Sequence, residues 1–428
     1  MQSARQEMRR RLSSNIGWVT LWGFLSRAFP VAAMFVAARI LGAHEFGRLA
    51  AVLATVTTIE ALVTSGLHVT AIRHLAATRS RPEEFGQILG SVLRLAMLAT
   101  GAASITALLA PEIISTALTG TLSLANEIRL SALWIFLSCC TTVFLGIFLA
   151  LERPRILFRI GATQGVVAMT LIPLLASYFG VPGSIAGWTA VNFVGVLAYL
   201  WLLPGELPSG VTLWRSIRGP SNRSFFWSSV VPGSVNGFAW TAGQWVALAI
   251  VLRSDAGPAS VGAFAAAQQI LSAAVFVPMM VGVAISPILS ERLGAGSAVE
   301  SANLFWKSFF WISVCAMPIG AVVIAGSPWI AEAYGTTFVP LTAVFAIGGA
   351  TIIVTAPQGV LTQYFFALER NWLLALTGIL GGLVNAVAAF FLASRTPDLA
   401  AAAALLIAQS VKGGLGLCIL AWLRRGRS

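Results

Sequence analysis

Apolar stretches of about 20 residues recur along the whole of this 428-residue chain, and that recurrence leaves few ways to fold it. An α-helix rises 1.5 Å per residue, so about 20 residues cross the roughly 30 Å of hydrocarbon in a bilayer. The stretches fall at residues 16–40, 49–72, 88–110, 128–151, 157–180, 183–204, 226–251, 262–289, 305–326, 339–367, 372–393 and 399–423. They predict about twelve membrane-spanning helices, with the long eighth and tenth open to kinking or breakage at Pro278, Pro287 and Pro357. A content of 57% hydrophobic against 10% charged residues, with a mean hydropathy of +0.86, excludes an aqueous globular domain. The alternating pattern of an outer-membrane β-barrel is absent.

The basic residues follow the membrane rather than a nucleic acid. There are 27 Lys and Arg against 15 Asp and Glu, and with the N-terminus inside, nineteen of the basic residues fall on inner segments and five on outer ones. That bias predicts that both termini are cytoplasmic. The basic N-terminal stretch followed by an apolar run has the outline of a secretory signal, but the run is too long and contains Arg27, so it reads as an uncleaved first helix. Cys139, Cys140, Cys315 and Cys418 sit inside predicted spans with no Cys/His grouping, which supports neither a disulfide framework nor a metal site.

One pattern occurs twice. Ala150-Leu151-Glu152-Arg153, seven residues, then Gly161-xxx-Gly165 returns as Ala367-Leu368-Glu369-Arg370, seven residues, then Gly378-xxx-Gly382, and Phe148 and Phe365 obey the same shift of 217. Gly23-Phe24 answers Gly237-Phe238, and Gly47 answers Gly262. The duplication predicts two six-helix bundles of equal orientation: an N-terminal lobe over residues 1–204, a cytoplasmic linker over 205–225 and a C-terminal lobe over 226–428. The repeated Ala-Leu-Glu-Arg reads first as a tight inner turn and second as a gate.

The chain lacks a phosphate-cradling GxxxxGK[ST] loop and an HExxH motif. Its outer loops are short and offer isolated carboxylates, so an enzyme is not expected. What remains is a polar seam inside apolar helices. Arg27, Glu60 and Lys412 each lie about 16–20 Å deep along their spans, and a mid-membrane charge costs roughly 2.5–3.5 kcal/mol on insertion scales. Arg94, nearer the inner interface, either joins them or snorkels. Three positive groups against one negative make a cavity suited to an anion, with phosphate or pyrophosphate the natural choice for guanidinium and ammonium groups. Arg27, Arg94 and Lys412 are thus the candidate substrate-binding residues and Glu60 the candidate ion-coupling residue, the structural alternative being a fixed Arg27–Glu60 pair. The amides Gln164, Asn192, Asn236, Gln244, Gln268, Gln269, Gln363, Asn385 and Gln409 read as interhelical glue or as partners for sugar hydroxyls. Trp18, Trp22, Trp188, Trp201, Trp214, Trp227, Trp306, Trp329, Trp372 and Trp422 read as an interfacial aromatic belt.

The opening of the chain carries a resemblance. Asn15-xx-Trp18, Arg27, Ala38-Arg39-Ile40-Leu41-Gly42-xx-Glu45-Phe46-Gly47, Ser65-Gly66-Leu67, Ala71-Ile72-Arg73 and Tyr334-Gly335 together are similar to the polysaccharide and O-antigen flippases. Those Wzx-type proteins belong to the multidrug/oligosaccharidyl-lipid/polysaccharide (MOP) exporter superfamily. The resemblance implies a V-shaped pair of bundles in the bacterial cytoplasmic (inner) membrane, without a cofactor. It implies alternating access that moves an undecaprenyl-diphosphate-linked oligosaccharide to the periplasmic leaflet for O-antigen, capsule or exopolysaccharide synthesis. Membrane lipids, a polysaccharide polymerase and glycosyltransferases are the expected partners. Arg27 is the residue carried over by motif position. An ion-coupled antiporter or a lipid II flippase of the same superfamily is the alternative. A cationic-drug antiporter calls for an acidic cavity, and lipid II flippases often carry two further helices.

Overall fold

The first helical run, Gln2–Thr78, is 77 residues long, which at 1.5 Å per residue is several times the thickness of a bilayer core. It breaks at Gly42, whose φ of 74° and ψ of 168° no helix can hold. A run of 53 residues, Pro154–Glu206, breaks in the same way at Gly180, with φ 63° and ψ −136°. Both positions use the positive φ that glycine adopts without steric cost. The computed structural model describes residues 2–218, 231–294, 298–368 and 370–425. Trp227, Glu369 and positions 219–225 of the predicted linker lie outside the described residues.

Taken in order, the long helices are α1 (2–41), α2 (43–78), α3 (Pro82–Leu109), α4 (Ala125–Ala150), α5 (154–179) and α6 (181–206). They continue as α7 (Val231–Leu252), α8 (Gly257–Gly294), α9 (Ala298–Ala325), α10 (Thr342–Thr355 and Gln358–Ala367), α11 (Asn371–Ala393) and α12 (Ala400–Arg425). Among the described residues, nine stretches are long and apolar enough to span. Two of them are the runs broken at Gly42 and Gly180, and the shorter apolar Gly237–Leu252 brings the count to twelve. The tenth helix is interrupted beside Pro357, as its proline predicts. Three short elements are additional to the sequence reading: Pro111–Thr119, Leu213–Arg218 and Ser327–Tyr334.

The chain packs as two units. The first comprises Met1–Ala37, Thr55–Ser115 and Ser123–Phe238. Its core joins α2, α3, α4, α5 and α6 through Leu75, Phe85, Leu89, Phe148, Leu157 and Leu203, all fully buried. Within it α5 and α6 run antiparallel: a β-carbon on Gly187 would lie 2.9 Å from the Ile172 backbone, and Gly195 abuts Gln164. The second unit comprises Ala38–Ala54, Thr116–Leu122 and Ala239–Ser428. Phe305, Val360, Tyr364, Phe365, Leu374 and Leu420 form one of its cores. Large apolar side chains such as Leu98, Leu109, Val322, Phe390 and Phe391 remain exposed, the surface that lipid covers.

The two copies of the duplicated turn share hydrogen bonds among their described residues. The Arg153 N–H donates to the Phe148 carbonyl at 3.3 Å and the Arg370 N–H to the Phe365 carbonyl at 3.1 Å, and each arginine carbonyl then starts the next helix. In the first copy Glu152 takes a φ of 55°. Its carboxylate pairs with Arg79 at 3.3 Å, and Arg153 pairs with Glu206 at 2.5 Å. Those bonds match a helix-terminating turn. The motif at residues 38–47 also acquires a structural reason within the second unit. A β-carbon on Gly47 would run into the Pro258 carbonyl, and one on Gly262 into the Ala43 carbonyl, so the two glycines related by the repeat meet each other. The Ala43 N–H donates to Thr337 Oγ1 at 3.1 Å, Arg39 to the Ala333 carbonyl at 3.4 Å, and Phe46 packs edge-on to Phe338.

Candidate functional site

Glu60 lies midway along α2 and is half-buried. Its carboxylate accepts hydrogen bonds from two hydroxyls of α4, Ser138 Oγ at 2.5 Å and Thr142 Oγ1. Four residues apart, Ser138 and Thr142 share one helical face, which is how a single helix presents both donors to one carboxylate. Charge-assisted bonds of this kind are roughly twice as strong as neutral ones. Two turns further along α2, His68 Nδ1 lies 3.0 Å from the Thr142 carbonyl. A carbonyl can only accept, so Nδ1 carries the hydrogen. His68 also packs against α4 at Gly146.

Arg27 sits on α1 and is half-buried, while Trp22 and Phe29, seven residues apart on another face of the same helix, are accommodated by glycines of α5. A β-carbon on Gly161 would stand 2.8 Å from the Trp22 ring, and one on Gly165 would overlap Phe29. Arg94 of α3 donates from Nη1 to the Ile217 carbonyl at 2.8 Å. Gly86, Gly90 and Arg94 form a single stripe at helical spacing, and the short helix Leu213–Arg218 lies along it, with the Ser216 carbonyl where a β-carbon of Gly90 would be. Arg94 therefore clamps the linker onto α3.

Lys412 of α12 is in the second unit. Its ammonium stands over the Trp240 ring, 4.4 Å from the centroid, and Gly381 of α11 leaves room for its stem, since a β-carbon there would come within 3.3 Å. Among the described residues no carboxylate forms an ion pair with Lys412. The structure thus groups Arg27, Glu60 and Arg94 in one unit and Lys412 in the other.

Two further features escaped the sequence reading. Ser138 and Thr142 are unremarkable among the many hydroxyls in the spans, and only the i, i+4 spacing opposite Glu60 would have marked them. Trp188 is packed among other side chains of the first unit rather than exposed. Whereas Trp201, Trp329, Trp372 and Trp422 are exposed as expected, Trp188 stacks on Trp134 with centroids 5.6 Å apart and planes 7° from parallel, and donates from Nε1 to Met34 Sδ at 3.4 Å.

The sequence profile of the polysaccharide biosynthesis protein family matches residues 12–292, well over half of the chain. The chain belongs to this family. The MatE family profile matches residues 238–391. No curated protein matches the sequence at a significant level. Among solved structures, an inward-facing multidrug resistance MATE family transporter of the MOP superfamily matches at 14% identity and a TM-score of 0.82, over 94% of this chain and 96% of its own. The lipid II flippase MurJ, in an inward closed conformation, matches at 14% identity and a TM-score of 0.72, over 94% and 87%. A MOP superfamily transporter from Pyrococcus furiosus, whose pocket is described as of reverse polarity, matches at 14% identity and a TM-score of 0.65, over 96% and 95%. These likenesses identify the fold as the all-helical MOP plan of a multi-pass membrane protein. Together with the family match they bear out the resemblance drawn from the N-terminal motif.

Proposed function

We propose that this member of the family translocates an undecaprenyl-diphosphate-linked oligosaccharide across the bacterial cytoplasmic membrane by alternating access between its two lobes, with both termini cytoplasmic. The observation that carries the reading is Lys412. It is a cation within an apolar helix, held against the π-face of Trp240 rather than by a carboxylate among the described residues. An ammonium group held by an aromatic face has no paired carboxylate for an incoming anion to displace, and a diphosphate is the anion that a lipid-linked glycan carries. Arg27 carries a planar fork suited to bidentate contact with phosphate oxygens. Arg94, part of whose donor set goes to Ile217, stands at the inner end of the seam. Glu60 is the ion-coupling residue. A polysaccharide polymerase and glycosyltransferases complete the pathway as partners. Lipid II flipping is the second reading, favoured by the fold shared with MurJ and by the same diphosphate chemistry.

The test is polysaccharide export in cells. Arg27→Ala and Lys412→Ala abolish export at unchanged protein level, while Arg27→Lys restores it only in part because the bidentate fork is lost. Export at the wild-type level by both alanine variants would overturn the assignment. A chain that instead restores growth to cells lacking their lipid II flippase, and exports no polysaccharide, would favour the second reading.

A further inference from the structure

Within the first unit a cavity of about 150 Å³ opens among α1, α5 and α6. We propose that it is a subsite for one sugar ring, the ring joined directly to the diphosphate. This rests on the lipid-diphosphate oligosaccharide reading above and gives that substrate a second point of attachment.

The size selects the occupant first. Drug-sized ligands fill roughly 300–1,000 Å³, and 150 Å³ corresponds to about five waters at the liquid share of 30 Å³ each. One pyranose ring fits such a space, and an oligosaccharide does not. The lining then selects the chemistry. It carries no charged residue, so neither an ion nor the diphosphate itself is the natural occupant. Its polar members are Ser26, Gln164 and Asn192, and its aromatic member is Trp188.

Each polar side chain is anchored by one bond and has capacity to spare. Gln164 Nε2 donates to the Val191 carbonyl at 3.3 Å, Asn192 Nδ2 to the Trp188 carbonyl at 2.9 Å, and Ser26 Oγ to the Gly23 carbonyl at 3.2 Å. Neither amide oxygen has a hydrogen-bond partner among the described residues, and neither is a fully enclosed orphan. Each amide also retains a second N–H, and the Ser26 oxygen retains its lone pairs. Pro30 adds one more acceptor, because it has no N–H to give to the Ser26 carbonyl four residues before it. Paired donors and acceptors on neutral groups match sugar hydroxyls, which both donate and accept. A lipid tail in this cavity would leave all of them unsatisfied. Trp188 supplies an apolar ring for the C–H face of a sugar, and its stacking on Trp134 and its bond to Met34 hold that ring in one orientation.

The position of the cavity decides which ring enters. Ser26 and Arg27 are consecutive, so their Cα atoms lie about 3.8 Å apart. The first sugar of a lipid-linked glycan is bonded to the terminal phosphate through its anomeric oxygen. The Ser26 and Arg27 side chains diverge by about 100° around the helix, so with the diphosphate on Arg27 the sugar nearest the cavity is the one bonded to the phosphate, and the later sugars extend beyond it. The subsite therefore reads the identity of the first sugar and is indifferent to the length of the rest.

The test uses the full chain in detergent and two probes, undecaprenyl diphosphate without a sugar and the same lipid bearing a single N-acetylhexosamine, with equilibrium binding as the readout. Wild type is expected to bind the sugar-bearing lipid about five- to tenfold more tightly, the range that one or two neutral hydrogen bonds supply. Gln164→Leu and Asn192→Leu should each remove most of that preference and leave the affinity for the sugar-free lipid within twofold of wild type, which also shows that the variants are folded. Equal wild-type affinities for the two lipids, or variants that weaken both lipids alike, would overturn the proposal. Because binding is measured without transport, a chain that binds with this preference but moves neither lipid would contradict the flippase reading and leave the subsite standing.

Discussion

Replacing Glu60 with Gln isolates the charge of the half-buried carboxylate from its shape. In the native protein the carboxylate takes a hydroxyl hydrogen from Ser138 at 2.5 Å and another from Thr142. Hydrogen bonds to a charged group contribute about 1.5–3 kcal/mol each and neutral ones about 0.5–1.5. Gln keeps one acceptor oxygen for one hydroxyl, and the other hydroxyl can turn to accept from its amide. The expected loss is the difference between charged and neutral pairs, about 1–3 kcal/mol, placed at the lower end because Glu60 is half-buried. Such a variant stays folded and inserted. What it loses is the charge on which the proposed coupling role rests. In proteoliposomes carrying a labelled lipid-diphosphate oligosaccharide, the initial rate with an imposed pH gradient is compared with the rate without one. For wild type that ratio is expected to be well above one, and for Glu60→Gln close to one with substrate binding retained. Ser138→Ala, which removes a partner but keeps the charge, should slow transport yet keep the gradient response. An undiminished ratio in Glu60→Gln would refute the coupling role and leave Glu60 as a strut between α2 and α4.

Gly90→Leu should detach the linker helix from α3, because a side chain at that position collides with the Ser216 backbone carbonyl and overpacking of this kind costs about 1–3 kcal/mol. With Ser216→Cys as a reporter, buried at 5% exposure in the native protein, maleimide labelling should accelerate about tenfold in the Gly90→Leu background; equal labelling rates would contradict the clamp. Reporter fusions after residue 215 should behave as cytoplasmic and fusions near residues 180 or 255 as periplasmic, and a periplasmic signal at the linker would break the reading of two equally oriented six-helix halves.

Length and composition made most of the helix plan legible. The spans 157–180 and 183–204 meet where Gly180 breaks the helix, and the interruption of α10 falls at Pro357, because glycine and proline act on the backbone locally and need no partner. The duplicated turn was legible for the same reason: the hydrogen bonds from Arg153 to Phe148 and from Arg370 to Phe365 close within six residues. The partners of the half-buried charges were not. Glu60 meets Ser138 and Thr142, 78 and 82 residues away, and Arg94 meets a backbone carbonyl 123 residues away. Both depend on the rotation and register of helices about their axes, which a chain apolar on most faces encodes weakly. Trp188 illustrates the same limit, since its distance from a span end suggested the interface while the stack on Trp134 is a matter of which way α6 faces.

The central claim is that this chain moves a lipid-linked diphosphate glycan from one leaflet to the other, and the most direct measurement is leaflet transfer in proteoliposomes made from the purified chain and a fluorescently labelled undecaprenyl-diphosphate oligosaccharide. Transfer is scored by how much label a membrane-impermeant reductant can reach over time. The account predicts transfer well above that of protein-free vesicles, abolished by Lys412→Ala and Arg27→Ala. Transfer indistinguishable from protein-free vesicles, or equal in wild type and in both variants, would contradict it.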